Sequence, residues 1–574
     1  MGSCKFSNEL NRLRKSSSDS IDNVEKFDRF KKYIHVKRTA EEDLKSILRE
    51  VNNLRKKTLV LLCGSAGDGK SHLLSYLKNS DEDKLIDDYV IYNDATESSA
   101  PSKTAIETLS ELLVAFKDSN LESHGRNVIL AINLGVLSNF IESEYGDEFS
   151  QLRSYVEENY ILTSQVNNNE FDAASHFQHV SFSDYHMFSL TENGVHAGYI
   201  EDLLDKVFSN NEENIFYQSY KNDCSNCPLA QKCPVKMNYE FMINEKHQKY
   251  IAELLVETII QDKVILTTRE ILNFIYDILV SQNFSFRKFQ RLLVDDAAYL
   301  KEFLRQITPT LIYDSADVTP LMNMLKKYDP LLNRSEKADE LAISYYVSSD
   351  ISNDIKNIFE SISYEGIICD PAMLNKLNED KILKSNAFNL IIRIQAINEN
   401  VIGNEIYRKY LSDLFFYNAG KLKKIGNIYN MVEKATKQWC GCDEDNNICL
   451  DDNYQEFMLY EKVDFKPFLI HLPDPTKTEE LQRFIPFIVA TFGDLSSDRI
   501  SLDIDYSLYE LLYKLNHGYI QTAEDRNNHA DFISFVNRIL QTGTLTETIS
   551  IVWKQGKKAQ ISKSVFGYKF KVVK

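Results

Sequence analysis

Thr58-Leu59-Val60-Leu61-Leu62-Cys63-Gly64-Ser65-Ala66-Gly67-Asp68-Gly69-Lys70-Ser71-His72-Leu73-Leu74-Ser75-Tyr76-Leu77 decides the fold. Thr58 to Cys63 is a continuous apolar run, as expected of a strand buried on both faces of a parallel sheet. Gly64 to Ser71 then fits G-x-x-x-x-G-K-[ST] without a mismatch, and Ser71 to Leu77 opens a helix. Strand, glycine loop and helix together make an anion cradle. Glycines let the backbone close with successive N–H groups pointing inward, and the helix N-terminus adds partial positive charge. By chance the pattern arises in roughly 2% or less of chains this long. The spacing predicts an ATP cradle of Gly64, Ser65, Ala66, Gly67, Asp68, Gly69, Lys70 and Ser71. Lys70 is expected to reach the β- and γ-phosphates and Ser71 to ligate Mg²⁺.

Outward from this stretch, strands and helices alternate. Tyr89 to Tyr92 reads as a strand ending in Asn93-Asp94, followed by a helix with Ala105, Ile106, Leu109, Leu112, Leu113 and Phe116 on one face. Val128 to Ile132 is a further strand, ending in Asn133, and His179 to Phe182 is a fourth candidate. The alternation predicts an α/β sheet with parallel pairing. Upstream, residues 21–56 read as helical, with Phe27, Phe30, Ile34, Leu44, Ile47, Leu48 and Val51 at helical spacing. Ile549 to Trp553 and Tyr568 to Val573 read as strands of a closing hairpin.

The expected architecture is an α/β P-loop NTPase core with a parallel sheet, a Cys-rich insert, a helical lid and middle region, and a mixed α+β C-terminal region. The boundaries are 1–57 for an N-terminal helical segment, 58–205 for the core and 206–245 for the metal-binding insert. A lid over 246–300, a helical domain over 301–465 and an α+β domain over 466–574 complete it.

At 574 residues the chain exceeds what one hydrophobic core supports. Its formal charge is 66 − 84 = −18, whereas non-specific DNA affinity comes from counterion release at a basic surface. The chain is expected to be a poor stand-alone DNA binder. Lys31, Lys32, Lys37 and Arg38, and separately Lys421, Lys423 and Lys424, read as solvated faces. Lys15 to Ser20 reads as a polar tether. No apolar run approaches the roughly 18 to 20 residues that cross a bilayer. The Met1–Phe6 start lacks a signal-peptide stretch, and Phe6 breaks the myristoylation pattern. These features predict a cytoplasmic protein without membrane contact. Nine cysteines, an odd number without a secretory signal, argue against a disulfide framework.

Hydrolysis needs more than the cradle. P-loop ATPases carry an Asp at the end of a neighbouring strand and often a Glu that orients the attacking water. Two readings stand. In one, the strand ending in Asn133 occupies the magnesium position and the site turns ATP over poorly. In the other, Asp94 and Glu97 are the working pair and Asn133 senses the γ-phosphate. The short interval between Lys70 and Asp94 favours the first. Arg269, in Thr267-Thr268-Arg269-Glu270-Ile271-Leu272, opens a helix beyond the core and is a lid-sensor candidate; the alternative is an exposed arginine in a first helical turn.

Cys224, Cys227 and Cys233 form C-x2-C-x5-C, with Pro228 and Pro234 following the last two. Two cysteines two apart grip one ion from a tight turn, and a third supplies most of a tetrahedral site. Zinc is the expected metal, with His247, His196 or a distant cysteine as fourth ligand. A 4Fe-4S cluster is the rival, since clusters accept three grouped thiolates and one remote one. Cys440, Cys442 and Cys449 read as incidental cysteines of a flexible loop, and Cys63 as core.

Five segments also carry a resemblance. The Gly64–Ser71 loop, Tyr92-Asn93-Asp94-Ala95-Thr96 and Ala131-Ile132-Asn133-Leu134-Gly135 are followed by the Cys224 to Pro234 cluster and by Thr268-Arg269-Glu270-Ile271-Leu272. In this order they resemble the DptF (DndF) family, the F component of bacterial phosphorothioation-dependent DNA restriction. The likeness spans nearly the whole chain, although only the glycine loop is a specific chemical motif. It implies an ATP-binding, ATP-hydrolysing subunit that works with G and H components to restrict DNA lacking backbone sulfur, touching DNA through that complex. The core also resembles AAA+ and STAND ATPases, without a clear acidic Walker B strand. A non-hydrolysing switch and a stand-alone STAND-type signalling ATPase are the alternatives.

Overall fold

A computed structural model describes residues 4–18, 29–65, 68–80, 83–93, 104–163, 166, 169–315, 318–332, 336–347, 353, 356–357, 375–377, 379–443, 447–451, 456–464, 466–469, 478–493, 499–542, 544–565 and 567–573. The chain divides into two compact units. Met1–Phe188 and Ala197–Ile402 form the first, Ser189–His196 and Gly403–Lys574 the second.

Four strands make the sheet of the first unit: β1 (Leu59–Cys63), β2 (Val90–Tyr92), β3 (Val128–Ile132) and β4 (Phe177–Ser181). They run parallel in the order β2-β3-β1-β4. Every residue of β1, β3 and β4 is buried. The reason for β1 is its double pairing, Leu59 with both Val128 and Phe177 and Cys63 with both Ile132 and Ser181, under helices on both faces.

Strand pleating sends alternate side chains to opposite faces. Leu59, Leu61 and Cys63 therefore join the core under α5 (Ala105–Leu112), α6 (Leu134–Glu142) and α7 (Ser150–Glu158). Val60 and Leu62 join the opposite core, under α3 (Thr39–Asn52) and α4 (Lys70–Ser80). The apolar run at 58–63 thus serves two cores at once.

The N-terminal segment departs from the expected helix. α1 (Lys5–Ser18) and α2 (Arg29–Tyr33) precede α3, and the chain leaves helical conformation over His35–Arg38. The Lys15–Ser20 tether is corrected as far as Ser18: α1 continues through it because Phe6, Leu10 and Leu13 recur on one buried face. Residues 19–28, with Phe27, lie outside the described residues.

Beyond the sheet the described residues of the first unit are mostly helical. α8 (Gly198–Phe208), α9 (Ile215–Ser219), a π-helical turn over Tyr220–Cys224 and α10 (Pro234–Met242) lead to α11 (Glu245–Asp262) and α12 (Thr268–Leu279). The last described helix of the unit, Lys381–Asn398, carries buried Arg393, which grips two carboxylates. Its fork donates to Asp314 at 2.9 and 2.8 Å and to Asp329 at 3.1 and 2.5 Å.

The second unit carries β5 (Tyr185–Thr191) from Ser189 onward, and β6 (Gly194–His196). After helices Glu405–Asn418 and Leu422–Cys440 come β7 (Ile448–Asp451), β8 (Phe457–Asp464), β9 (Glu480–Arg483), β10 (Ile488–Phe492) and β11 (Ile500–Ile504). Three helices precede β12 (Thr544–Trp553), β13 (Lys558–Ser564) and β14 (Gly567–Val573). The antiparallel sheet β14-β13-β12-β8-β7 enlarges on the expected closing hairpin: β13 stands between its two strands. Lys558-Ala559-Gln560-Ile561-Ser562-Lys563-Ser564 carries too few apolar residues to announce itself, yet Ala559 is fully buried. Within the expected helical stretch 301–465, the last helix ends at Cys440, and β7 and β8 begin before residue 466.

Candidate functional site

The sheet topology sets a switch point whose two lips are the carboxyl ends of β1 and β3. α4, after β1, lies on one face and leads to β2; α6 and α7, after β3, lie on the other and lead to β4. With right-handed crossovers, neighbouring β1 and β3 send their chains in opposite directions from their carboxyl ends. Such a switch point is where open α/β sheets receive ligands. Gly64 stands at one lip and Asn133 at the other, joined by a bond from Gly64 N to Ile132 O of 3.2 Å.

The glycine loop is braced internally. Gly64 has φ +152°, and a Cβ there would come within 2.6 Å of Asp68 Oδ2 and 3.0 Å of Phe182 Cβ. Gly69 has φ +92°, a conformation L side chains rarely adopt. Asp68 Oδ2 accepts from Ser65 N at 2.5 Å. Burial raises the Asp68 carboxyl, with Lys70, the Ser65 N–H and Arg38 opposing. Lys70 opens α4, and its Nζ turns back to donate to Gly64 O at 2.9 Å and Ser65 O at 2.6 Å. Ser71 follows in the first turn; Ala66 and Gly67 lie outside the described residues.

Arg38 corrects the reading of its basic cluster as a solvated face. It donates from Nη1 to Asp68 O at 2.8 Å and from Nη2 to Tyr185 O at 2.9 Å. Its guanidinium lies 5.7 Å from the Phe182 ring and 5.1 Å from that of Tyr199. Lys37 keeps the expected character, exposed and paired with Glu42 at 2.6 Å.

Tyr199 extends this chain of contacts to α12 through a 2.7 Å bond between its hydroxyl and Thr268 Oγ1. Thr267 caps that helix with Glu270 in a capping box, which fixes its start. Arg269, half-buried in the first turn, is thereby placed one residue from a group that touches the loop's brace. Beside α4, His35 Nδ1 lies 3.1 Å from His72 Nε2, and His35 Nε2 lies 3.0 Å from Glu41 Oε2. Burial, with His35 and Lys31, pushes His72 down to about 4. Although burial opposes it, bonds from His35 and Lys45 hold Glu41 below the usual carboxylate range.

Of the hydrolysis candidates, Asn133 caps α6, its side chain accepting from Gly135 N at 2.8 Å. β3 is the direct neighbour of β1, and β2 lies beyond β3. Asp94 and Glu97 lie outside the described residues, but Asn93 before them is described, with Oδ1 buried and without a hydrogen-bond partner. Asp184, just past β4, acts electrostatically on Cys63, as Lys70 does from the loop. Burial pushes that thiol up to about 12, as befits a core cysteine.

Cys224 and Cys233 are buried and Cys227 is half-buried. His247 is corrected as a fourth ligand: its two ring nitrogens lie 2.6 Å from Phe241 O and 2.8 Å from Asn398 Oδ1. His196 Nδ1 lies 2.9 Å from Glu480 Oε1, both within the second unit. Among the described residues, no three His, Cys, Asp or Glu side chains close around an ion position. Cys442 bridges to Ile448 and Cys449 N bonds to Gly441 O at 2.9 Å, with Cys449 itself on β7, while residues 444–446 of the expected flexible loop lie outside the described residues. Among the described residues no helix is long and apolar enough to cross a membrane.

Sequence reasoning missed Arg38, Tyr199 and Asn93. Arg38 and Tyr199 act through contacts distant in sequence, and Asn93 looked like an ordinary strand end. No protein-family model matches the chain, and neither the curated proteins nor the solved structures contain a match.

Proposed function

We propose that the chain binds ATP and Mg²⁺ through Gly64–Ser71 and serves as a cytoplasmic ATP-hydrolysing subunit of a phosphorothioation-dependent DNA restriction complex. The observation that carries nucleotide binding is the placement of the glycine loop. It joins a doubly paired central strand to α4 at the switch point, with the Lys70 ammonium 2.6 to 2.9 Å from loop carbonyl oxygens. Preorganised donors and a fixed cation are what a polyphosphate requires. In this role Lys70 holds the terminal phosphates, Ser71 ligates Mg²⁺ and Arg269 approaches from α12. The restriction setting, with G and H components as partners and DNA reached through them, rests on the resemblance of the five segments.

A second reading, a nucleotide switch that does not hydrolyse, is favoured by one observation. Asn133, an amide, ends the strand directly beside β1. Isothermal titration of the full chain with MgATP tests the shared premise. Wild type is expected to bind and Lys70→Ala to lose most of its affinity while staying folded; equal affinities would sink the assignment. Copurification with tagged G and H components tests the setting separately.

A further inference from the structure

The insert's three cysteines have a fourth companion that spacing could not indicate. Cys4 immediately precedes α1, which packs against α9, the Tyr220–Cys224 turn and α12. Phe6 fixes that docking: its ring is 6.0 Å from Tyr220 and 5.1 Å, edge-on, from Tyr239. The result sets Cys4 beside the insert. In every pairing among Cys4, Cys224, Cys227 and Cys233, the two thiols lie within electrostatic reach of each other.

Burial raises the Cys4, Cys224 and Cys233 thiols, so a bound cation has to supply the charge that makes them thiolates, with some help from local donors. Cys4 stands at the start of α1 and accepts from Ser7 N at 3.4 Å. Cys233 is the N-cap residue of α10, at the start of that helix. Lys236 adds a positive charge that acts on Cys224. Main-chain N–H groups at helix starts favour a thiolate and orient it for a metal. Ordinary buried cysteines behave as small apolar residues and need neither donors nor each other.

We propose that Cys4, Cys224, Cys227 and Cys233 form one four-thiolate metal centre that staples α1 to the segment bearing α9 and α10. Binding converts four thiols to thiolates, and their protons pass to solvent. Four thiolates serve a zinc ion at Zn–S distances of about 2.3 Å or the corners of a 4Fe-4S cluster. No three of the four thiols, all among the described residues, close around an ion position in this structure, so binding has to draw the sulfurs together. The proposal stands apart from nucleotide binding, because none of the four residues belongs to the glycine loop.

The full chain, purified without oxygen, is assayed for zinc, iron and acid-labile sulfide. About one zinc per chain identifies the ion; about four irons with matching sulfide and visible absorption identify the cluster. Cys4→Ala is expected to lose the metal as completely as Cys227→Ala, while Cys440→Ala keeps it. Should Cys4→Ala fold poorly, alkylation of Cys4 in wild type, followed by mass spectrometry, gives a second readout. It is expected to be blocked with metal bound and rapid after stripping. Wild type taking up neither metal on reconstitution, a Cys4→Ala protein with its full metal content, or Cys4 labelling indifferent to metal would each overturn the proposal.

Discussion

Arg38 donates to the main-chain oxygen of Asp68 at 2.8 Å, bridging 30 positions of sequence to hold the glycine loop by its backbone. A second bond to Tyr185 O anchors the same guanidinium beyond β4. Charge-assisted bonds of this kind contribute about 1.5 to 3 kcal/mol each. Arg38→Ala should therefore loosen the loop and weaken MgATP binding about tenfold, equivalent to about 1.4 kcal/mol. Arg38→Lys should recover only part, because an ammonium lacks the fork that reaches both carbonyls. Titration calorimetry on the three proteins decides it, and indistinguishable affinities would remove Arg38 from the site.

The His35–His72 contact makes a pH prediction. His72 is held down to about 4 in the folded chain by burial and neighbouring positive charge, against about 6.5 when unfolded. A depressed histidine means that the unfolded chain binds the extra proton first as pH falls. Stability from this group is thus complete above about pH 6.5 and declines as pH drops towards 4, by up to about 3 kcal/mol. Protection factors of the α4 amides, taken relative to the intrinsic exchange rate at each pH, should fall across that window in wild type and change less in His72→Gln. Equal pH slopes in both proteins would show that His72 is not buried neutral.

Arg393 presents the reverse electrostatic situation, a buried cation whose partners are built in. Asp329 is buried with it, whereas the Asp314 side chain is 55% exposed. Arg393→Ala would strand Asp329 without its counter-charge, costing the first unit about 3 to 5 kcal/mol. Asp314→Asn should cost under about 1 kcal/mol, since water screens that arm. Thermal melts of the two variants should separate widely; a mild Arg393→Ala phenotype would mean that water replaces the guanidinium.

What was legible follows from the range of the interactions. β1 and β3 were readable because burial on both faces demands apolar residues in a row, and Val128–Ile132 appears with the boundaries expected of it; β4, expected at His179–Phe182, lies at Phe177–Ser181, where buried Gln178, His179 and Ser181 interrupt the apolar pattern. The sheet order was not readable: nothing local says that β3 rather than β2 pairs with β1. Arg38 sits in a run of basic residues that composition treats as solvent-facing, and only the Asp68 and Tyr185 carbonyls distinguish it. β13 stayed hidden because a strand with Lys558, Gln560, Ser562 and Lys563 on an antiparallel sheet needs few apolar residues. The break at His35–Arg38 was masked by apolar residues that keep helical spacing across it.

Turnover is where placement and chemistry diverge most. β3 is hydrogen-bonded to β1, with Ile132 level with Cys63, so Asn133 ends the strand nearest the loop. Its Oδ1 is engaged with Gly135 N, and an amide supplies no charge to a magnesium shell in any case. β2 ends one strand further out, where Tyr92 pairs with Leu130 and precedes Asn93, whose buried Oδ1 lacks a hydrogen-bond partner. If Asn133 occupies the magnesium position, the isolated chain should bind ATP and hydrolyse it slowly, and Asn133→Asp should raise the rate. If Asp94 and Glu97 are the working pair, Glu97→Gln should cut turnover about 10²-fold or more while sparing affinity. Phosphate release measured alone and with the partner components separates an intrinsic site from one completed by a partner's arginine. Rapid hydrolysis by the isolated chain that survives both Asp94→Asn and Glu97→Gln would defeat both assignments. It would turn attention to Asp184, the carboxylate beyond β4 that acts on Cys63 together with Lys70.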